Sequence, residues 1–425
     1  MIANRLALAG CGSRALSARN EGIAAPALIL IQKRNVHESY IPSGSGGRSS
    51  FSGIVATVFG GSGFIGRICL NRLAKHGASV VVAHRSPYQY VRHLRPMFDL
   101  GQLLMRDFCM EDSDDRIREL VQHSNCVVNL IGSNKPYQNC TLEKANLEWP
   151  LRLAKIVAEK NDGTRLLHIT KLNCNHEFGR KTSKLLQLDY AAEVGIREIY
   201  PEAIIARSSN VFGYNSTYTN FFVHERQEDL GKFGGMPLLY DGGKSTIIQP
   251  IYSGDLGEGL ARILKHLDSP GKTFELYGPR RYVLKDYVEY IYKIMDKPCY
   301  LYDTLGPMDS SKANFVQKKL QKLVTRYFEK QEEPRFLFPR AVDVISRLGT
   351  PLESWATKDY FDMIHVTDNR TGLPGLEQLG IEPTPFEDKS MLLHGYLHLW
   401  DSFTIQSKHT LPNIKQQSTY LPRVK

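Results

Sequence analysis

The sequence predicts an α/β fold: a Rossmann-type doubly wound parallel sheet followed by a smaller, mainly helical C-terminal portion. Two observations carry this expectation. An apolar, β-branched run, GIVATVFG at 53–60, leads directly into the glycine turn GGSGFIG and then into RICLNRLAKHG at 67–77, whose Ile68, Leu70, Leu73 and Ala74 keep helical spacing. Further strand-like runs recur at α/β intervals. Such alternation implies a parallel sheet covered on both faces.

The chain opens on a different composition. MIANRLALAGCGSRALSARN holds three arginines and no acidic residue before Glu21, the pattern of a mitochondrial transit peptide. Residues 1–34 are therefore expected to be an address and 35–52 a linker, rich in Gly and Ser at SGSGGRSSFSG (43–53). The address carries five basic side chains against one acidic, which leaves +6 of the formal +10 for the rest of the chain. That surplus comes with no RRM, zinc-finger or helix-turn-helix signature, so a nucleic-acid partner is not expected. No apolar run approaches the roughly twenty residues needed to span a bilayer. The seven cysteines form no C-x-x-C pair and the thirteen histidines no H-E-x-x-H, so neither a metal site nor a disulfide framework is expected.

Residues 53–213 form the expected nucleotide-binding core. Gly60, Gly63 and Gly66 have the spacing in which one glycine makes the tight turn, one admits a pyrophosphate and one lets the helix pack on the strand. The anion sits on the N–H groups of the helix start, from Ser62, Gly63, Phe64 and Ile65 onward. The helix ends at Gly77, a C′ glycine. The second strand, ASVVVAHR (78–85), ends in His84 and Arg85 where an NAD site would place a carboxylate. A guanidinium pairs with a 2′-phosphate, so NADP(H) is the expected dinucleotide. Strands follow at QLLMRDF (102–108), which brings Asp107 to the same edge, at NCVVNLIG (125–132), at TRLLHIT (164–170) and at EAIIARSSNVFG (202–213). Leu130, Ile131, Gly132 and Thr170, at strand C-terminal ends, complete the expected crevice.

The G-x-x-G-x-x-G arrangement with a long C-terminal portion resembles the extended and atypical short-chain dehydrogenase/reductase superfamily over roughly 53–290. That resemblance implies a Tyr-x-x-x-Lys pair on the helix after the fifth strand, where the Lys cation lowers the Tyr pKa and holds the nicotinamide ribose. Here that helix is approximately 180–203, and counting back from YPEA puts Leu185 at the Tyr position and Asp189 at the Lys position. Tyr190 is one residue displaced, about 100° around the helix. The expected catalytic set is therefore empty, although the cradle is intact.

Longer stretches sharpen the resemblance. GSGGRSS (44–50), HLRPMFDLGQLL (93–104), VQHSNCVVNLIG (121–132), YPEAIIARSSNVFG (200–213) and IHVTDNRTGLPGLEQLGIEPTPFE (364–387) are similar to the nucleotide-binding accessory subunit family of mitochondrial respiratory complex I, the NADH dehydrogenase alpha-subcomplex subunit 9 family. The resemblance implies one structural NADPH per chain, partners among the other complex I subunits, a place on the matrix side of the inner membrane, and a role in assembly and stability. The alternative is an active NADP-dependent reductase or isomerase using Tyr190 or His168 as its acid. A third is an NADP(H) sensor whose partner binding follows the redox state.

The C-terminal portion, 214–404, is expected to return to the core at QPIYSGDLGEGLARIL (249–264), with Asp255 capping the following helix. DSSKANFVQKKLQKLVTRYFEKQ (309–331) is basic and amphipathic, suited to packing on its own domain, to a partner or to peripheral contact with the inner membrane. Residues 405–425 read as a polar tail.

Overall fold

The computed structural model describes residues 46–134, 140–214, 216–223, 236–238, 240–294, 299, 301–303 and 358–390. The expected address, the basic amphipathic stretch and the tail lie outside the described residues. Seven strands form one parallel sheet: β1 (Val55–Phe59), β2 (Ser79–His84), β3 (Leu103–Asp107), β4 (Cys126–Asn129), β5 (Arg165–Lys171), β6 (Ile204–Ser208) and β7 (Thr273–Leu276). Their spatial order is β7-β6-β5-β4-β1-β2-β3. The chain therefore reverses direction between β1 and β4, the place where a doubly wound sheet opens its ligand crevice.

Register keeps the apolar pattern in phase: Val58 of β1 sits between Val82 of β2 and Val128 of β4, and all three are fully buried. One face is covered by α1 (Phe64–Lys75) and the helix Ser253–Lys265, packed with Leu70, Leu73, Leu256 and Leu260. These two helices approach closely because Gly257 has no Cβ; one built there would lie 2.6 Å from Ile68 Cγ2. The opposite face is covered by α2 (Asp114–Val121), α3 (Trp149–Lys160) and α4 (Lys184–Ile199), with Ile117, Leu153, Ile156 and Ile196 in the core. Each such side chain contributes about 1.5–3 kcal/mol by leaving water. The helix over Ser253–Lys265 is α5, and α6 (Leu284–Ile294) and α7 (Lys358–Ile364) belong to a helical C-terminal region. That region has its own aromatic core around Phe212, Phe221, Tyr287 and Phe386.

Three sequence expectations change. The helix expected over 180–203 breaks at Ser183, which is extended (φ −125°, ψ 129°) and donates its hydroxyl to the Asp359 carbonyl at 3.0 Å. A distant segment thereby sets a boundary that local propensity does not. Asp255 does not cap α5: Tyr252 is the N-cap, and the Asp255 carboxylate accepts the Thr384 N–H at 2.6 Å. Residues 46–52 of the expected linker are tied down, since the Ser52 N–H donates to the Gly77 carbonyl at 3.0 Å and the Gln102 amide to the Ser50 carbonyl at 3.1 Å. Gly77 itself is left-handed (φ +70°) at the end of α1, the C′ conformation expected of it.

Candidate functional site

Gly60 follows β1 at φ +82°, and a Cβ there would lie 2.8 Å from the Leu130 carbonyl. The turn after β1 and the loop after β4 are thus pressed together, fixed further by the Leu130 N–H on the Phe59 carbonyl at 3.0 Å. Gly63 is the N-cap of α1 and donates its N–H to the Gly60 carbonyl at 3.1 Å. A Cβ on Gly66 would collide with the Gly60 carbonyl and lie 2.7 Å from Gly61 Cα. The first turn of α1 has no acidic residue and no side-chain cap, so its first N–H groups are left without an intrahelical acceptor. Ser62 and Gly63 are exposed, Phe64 and Ile65 half-buried.

The structure brings Gly60, Ser62, Gly63, Phe64, Ile65 and Gly66 together with Leu130, Ile131 and Gly132 at the switch point. His84, Arg85 and Asp107 lie to one side, at the ends of β2 and β3, where His84 and Asp107 are register partners. Arg85 is exposed. His84 is buried, its Nδ1 2.9 Å from the Ser86 carbonyl, while the Asp107 side chain is 91% exposed. Thr170 lies on the other side of the switch point, near the end of β5, buried and with its hydroxyl unpartnered among the described residues.

Sequence reasoning missed several polar groups. Asn129, the last residue of β4, accepts the Trp149 indole N–H at 3.0 Å and the Ile131 N–H at 3.2 Å, and donates to His168 Nδ1 at 3.1 Å. It therefore sets the shape of the β4 loop, and its signal was a polar residue ending an apolar strand. Asn146 clamps the same loop, accepting the Ser133 N–H at 2.9 Å and donating to its carbonyl at 2.8 Å. His168 is engaged by Asn129, and burial pushes its imidazole down to about 4.

Beyond the ends of β5 and β6 lies a recess lined by Lys171, Asn173, Ser208, Ser209, Asn210 and Asp368. The Ser209 hydroxyl is buried without a partner among the described residues. Burial raises the Asp368 carboxyl to about 6 against the pull of the Gln249 N–H (2.7 Å) and the Asn173 amide (2.9 Å). Asp189, on α4, is likewise raised to about 6 by burial, opposed by the charge and backbone N–H of Lys171. The Lys171 ammonium is pulled down by burial and back up by Asp189. Tyr190 packs against the C-terminal core with the Arg180 guanidinium 4.1 Å above its ring. Among the described residues no group of three or more His, Cys, Asp or Glu could hold a metal, and no helix is long and apolar enough to cross a membrane.

Comparison with known proteins agrees with this architecture. The NAD dependent epimerase/dehydratase family model matches residues 56–224. The mitochondrial NADH dehydrogenase (ubiquinone) 1 alpha subcomplex subunit 9 of Rattus norvegicus is 36% identical over 385 residues, 89% of this chain and 90% of that protein. The mitochondrial NADH-ubiquinone oxidoreductase 40 kDa subunit of Neurospora crassa is 32% identical over 246 residues, 58% of this chain and 61% of its own length. Among solved structures, the triphenylmethane reductase of Citrobacter sp. superposes with a TM-score of 0.53 at 14% identity, covering 81% of this chain and 99% of that one, a likeness of fold.

Proposed function

The chain belongs to the NADH dehydrogenase (ubiquinone) 1 alpha subcomplex subunit 9 family of mitochondrial complex I subunits, and on that premise we propose that it is a non-catalytic, NADPH-binding accessory subunit that supports assembly and stability of the complex from the matrix side of the inner membrane. The observation that carries this reading is a cradle kept beside a missing acid. Three features support a dinucleotide here: glycines at 60 and 66 let the turn close against the β4 loop and the start of α1, where a Cβ would strike Leu130 or Gly61, the start of α1 has no side-chain cap, and among the described residues the Thr170 hydroxyl is unpartnered. Gly60, Ser62, Gly63, Phe64, Ile65 and Gly66 would hold the pyrophosphate and Arg85 the 2′-phosphate. His84 and Asp107 would flank the adenosine, while Leu130, Ile131, Gly132 and Thr170 would line the nicotinamide half.

NADPH, when bound, is a hydride donor, and reduction of a carbonyl also requires a proton from a neighbouring acid. Leu185 cannot supply one. Asp189, at about 6, is ionised at pH 7. His168 is neutral and held by Asn129. Tyr190 lies beneath Arg180. The site therefore grips without a donor suited to turnover, and the energy of nucleotide binding goes into stabilising the fold.

Denaturing the purified protein and identifying what is released should give NADPH at about one per chain, and affinity capture from mitochondria should recover complex I subunits. Recovery as a free monomer, or steady carbonyl-dependent NADPH oxidation lost in Tyr190→Phe, would overturn the proposal.

A further inference from the structure

We infer that the outer edge of β3 is a docking site for an extended, acidic segment of another complex I subunit, which adds an eighth strand to the seven of the sheet. The inference goes beyond the nucleotide reading and rests only on membership of the complex. The two edges of the sheet supply the first argument. β7, at one end of the order, is covered by the chain itself: the Glu275 N–H donates to the Pro374 carbonyl at 2.9 Å, and the Glu275 carboxylate accepts the Thr371 N–H at 3.0 Å and its hydroxyl at 2.5 Å. β3, at the other end, has no such cover among the described residues. Its Leu104, Arg106 and Asp107 are exposed, Leu103 and Met105 half-buried.

The ladder shows which backbone groups are open. The Val80 N–H donates to the Gln102 carbonyl at 2.7 Å and the Phe108 N–H to the His84 carbonyl at 2.9 Å, so residues 102, 104, 106 and 108 turn their backbone toward β2. Leu103 and Met105 therefore turn N–H and C=O outward, as Glu275 does on β7, and neither has a partner there among the described residues. At Asp107 the N–H alone is open, because its carbonyl accepts the Arg116 guanidinium at 3.4 Å. Edges that end in water are blunted by proline, by charge or by a bulge. In LLMRD the charges are confined to the last two positions, Leu104 is 47% exposed, and Leu100 just before the strand is 98% exposed.

Charge identifies the occupant. The exposed Arg92, Arg95 and Arg106 form no ion pair among the described residues. The acids beside them are engaged, Asp99 with the Leu100 N–H at 2.8 Å and Asp107 with His84 at 3.5 Å. Arg106 shares a sheet face with Leu104, so a carboxylate opposite it in an added strand pairs with it while an apolar neighbour covers Leu104. The chain's own residues 35–45, which lead into Gly46, hold a single acid, Glu38, for these three guanidinium groups. A second copy would bring the same cations to the contact.

The test places the photocrosslinker benzoylphenylalanine at position 104 of the full chain in mitochondria and sequences the product. An acidic segment of one complex I subunit is expected; a product with residues 35–45, with a second copy or with lipid alone overturns the inference. Two variants read the contact itself. Met105→Pro deletes an outward N–H and leaves the bonds to β2 in place, and Arg106→Glu reverses an exposed charge. Each should lower the fraction of the chain recovered in complex I about tenfold, the loss of one or two interfacial hydrogen bonds. Arg106→Glu should leave the thermal transition and the NADPH affinity of the isolated chain unchanged. Its recovery in complex I within about twofold of the unaltered chain refutes the edge as a docking site, whatever Met105→Pro does to folding. Absence of the unaltered chain from complex I sinks the accessory-subunit reading and this inference together, whereas loss confined to the variants supports the edge.

Discussion

The two ends of the crevice are built in opposite ways. Over β2 and β3 the polar groups stand in water: Arg85 is exposed and the Asp107 side chain is 91% exposed. Over β5 and β6 they are packed among apolar neighbours, where Thr170, Ser209 and Asp368 are buried and Lys171 is set against Asp189. Exposed charges are screened and change little in the fold when altered. Buried ones are coupled to stability, because removing one partner strands the other in a medium that solvates it poorly. Substitutions at one end should therefore carry a small structural cost, while the other cannot change without touching the fold.

The largest effect should come from the charges behind the buried end. Arg207 of β6 donates two hydrogen bonds to Glu193 of α4, at 2.5 and 3.2 Å, and lies 3.8 Å from Glu275 of β7. Glu275 in turn accepts from the Thr371 hydroxyl and N–H, at 2.5 and 3.0 Å, which ties the C-terminal segment to the sheet. Glu193→Leu leaves Arg207 buried with only part of its counter-charge and should cost about 3–5 kcal/mol. For a domain of this size that is a fall of about 10 °C in Tm, read by thermal unfolding. Arg85→Met, at the exposed end, should leave the transition within about 1 °C. Comparable losses at both ends would erase the contrast.

A pH series sharpens it next. Burial holds His168 and His365 down to about 4, against 6.5 in an open chain. The unfolded state therefore takes up these protons first as pH falls. Stability fully present above pH 6.5 is lost progressively down to about 4, at most on the order of 3 kcal/mol for each buried imidazole. Asp189 and Asp368, raised to about 6, act in the opposite sense, because the folded state takes up their protons before the unfolded chain does. The informative quantity is the difference between chains. His168→Gln, which keeps a hydrogen-bonding partner for Asn129, should lose its share of the slope between pH 6.5 and 4 and keep that of His365. An unchanged slope would mean that His168 is solvated in the native state.

What could be seen in the sequence divides along the same line. The glycine turn was legible because its three positions lie within seven residues, so spacing alone reports the geometry. Arg85 and Thr170 followed from strand ends that periodicity marks. The opposed charge was not legible: Asp189 stands where the resemblance implies a lysine, but the ammonium whose charge acts on it, Lys171, belongs to another element, and adjacency of β5 and α4 is a tertiary fact. Asp368 reaches the recess from nearly two hundred residues beyond Asn173, which it meets at 2.9 Å. Local chemistry failed for the same reason at Ser183, where Asp359 sets the helix break, and at Asp255, which Thr384 claims.

The smallest effect belongs to Arg85 and concerns choice of ligand. Its guanidinium stands at the end of β2 with no carboxylate in ion-pair contact among the described residues, where a 2′-phosphate would give it one. Arg85→Ser should weaken NADPH about tenfold, the low end of a charge-assisted contact because the site is wet, and leave NADH unchanged. Salt supplies an independent reading of the same charge. Raising ionic strength should bring NADPH affinity of the unaltered chain down toward that of the variant, while the NADH titrations stay together. Equal weakening of both nucleotides by Arg85→Ser would place the guanidinium on the shared part of the dinucleotide and remove the ground for proposing the phosphorylated form.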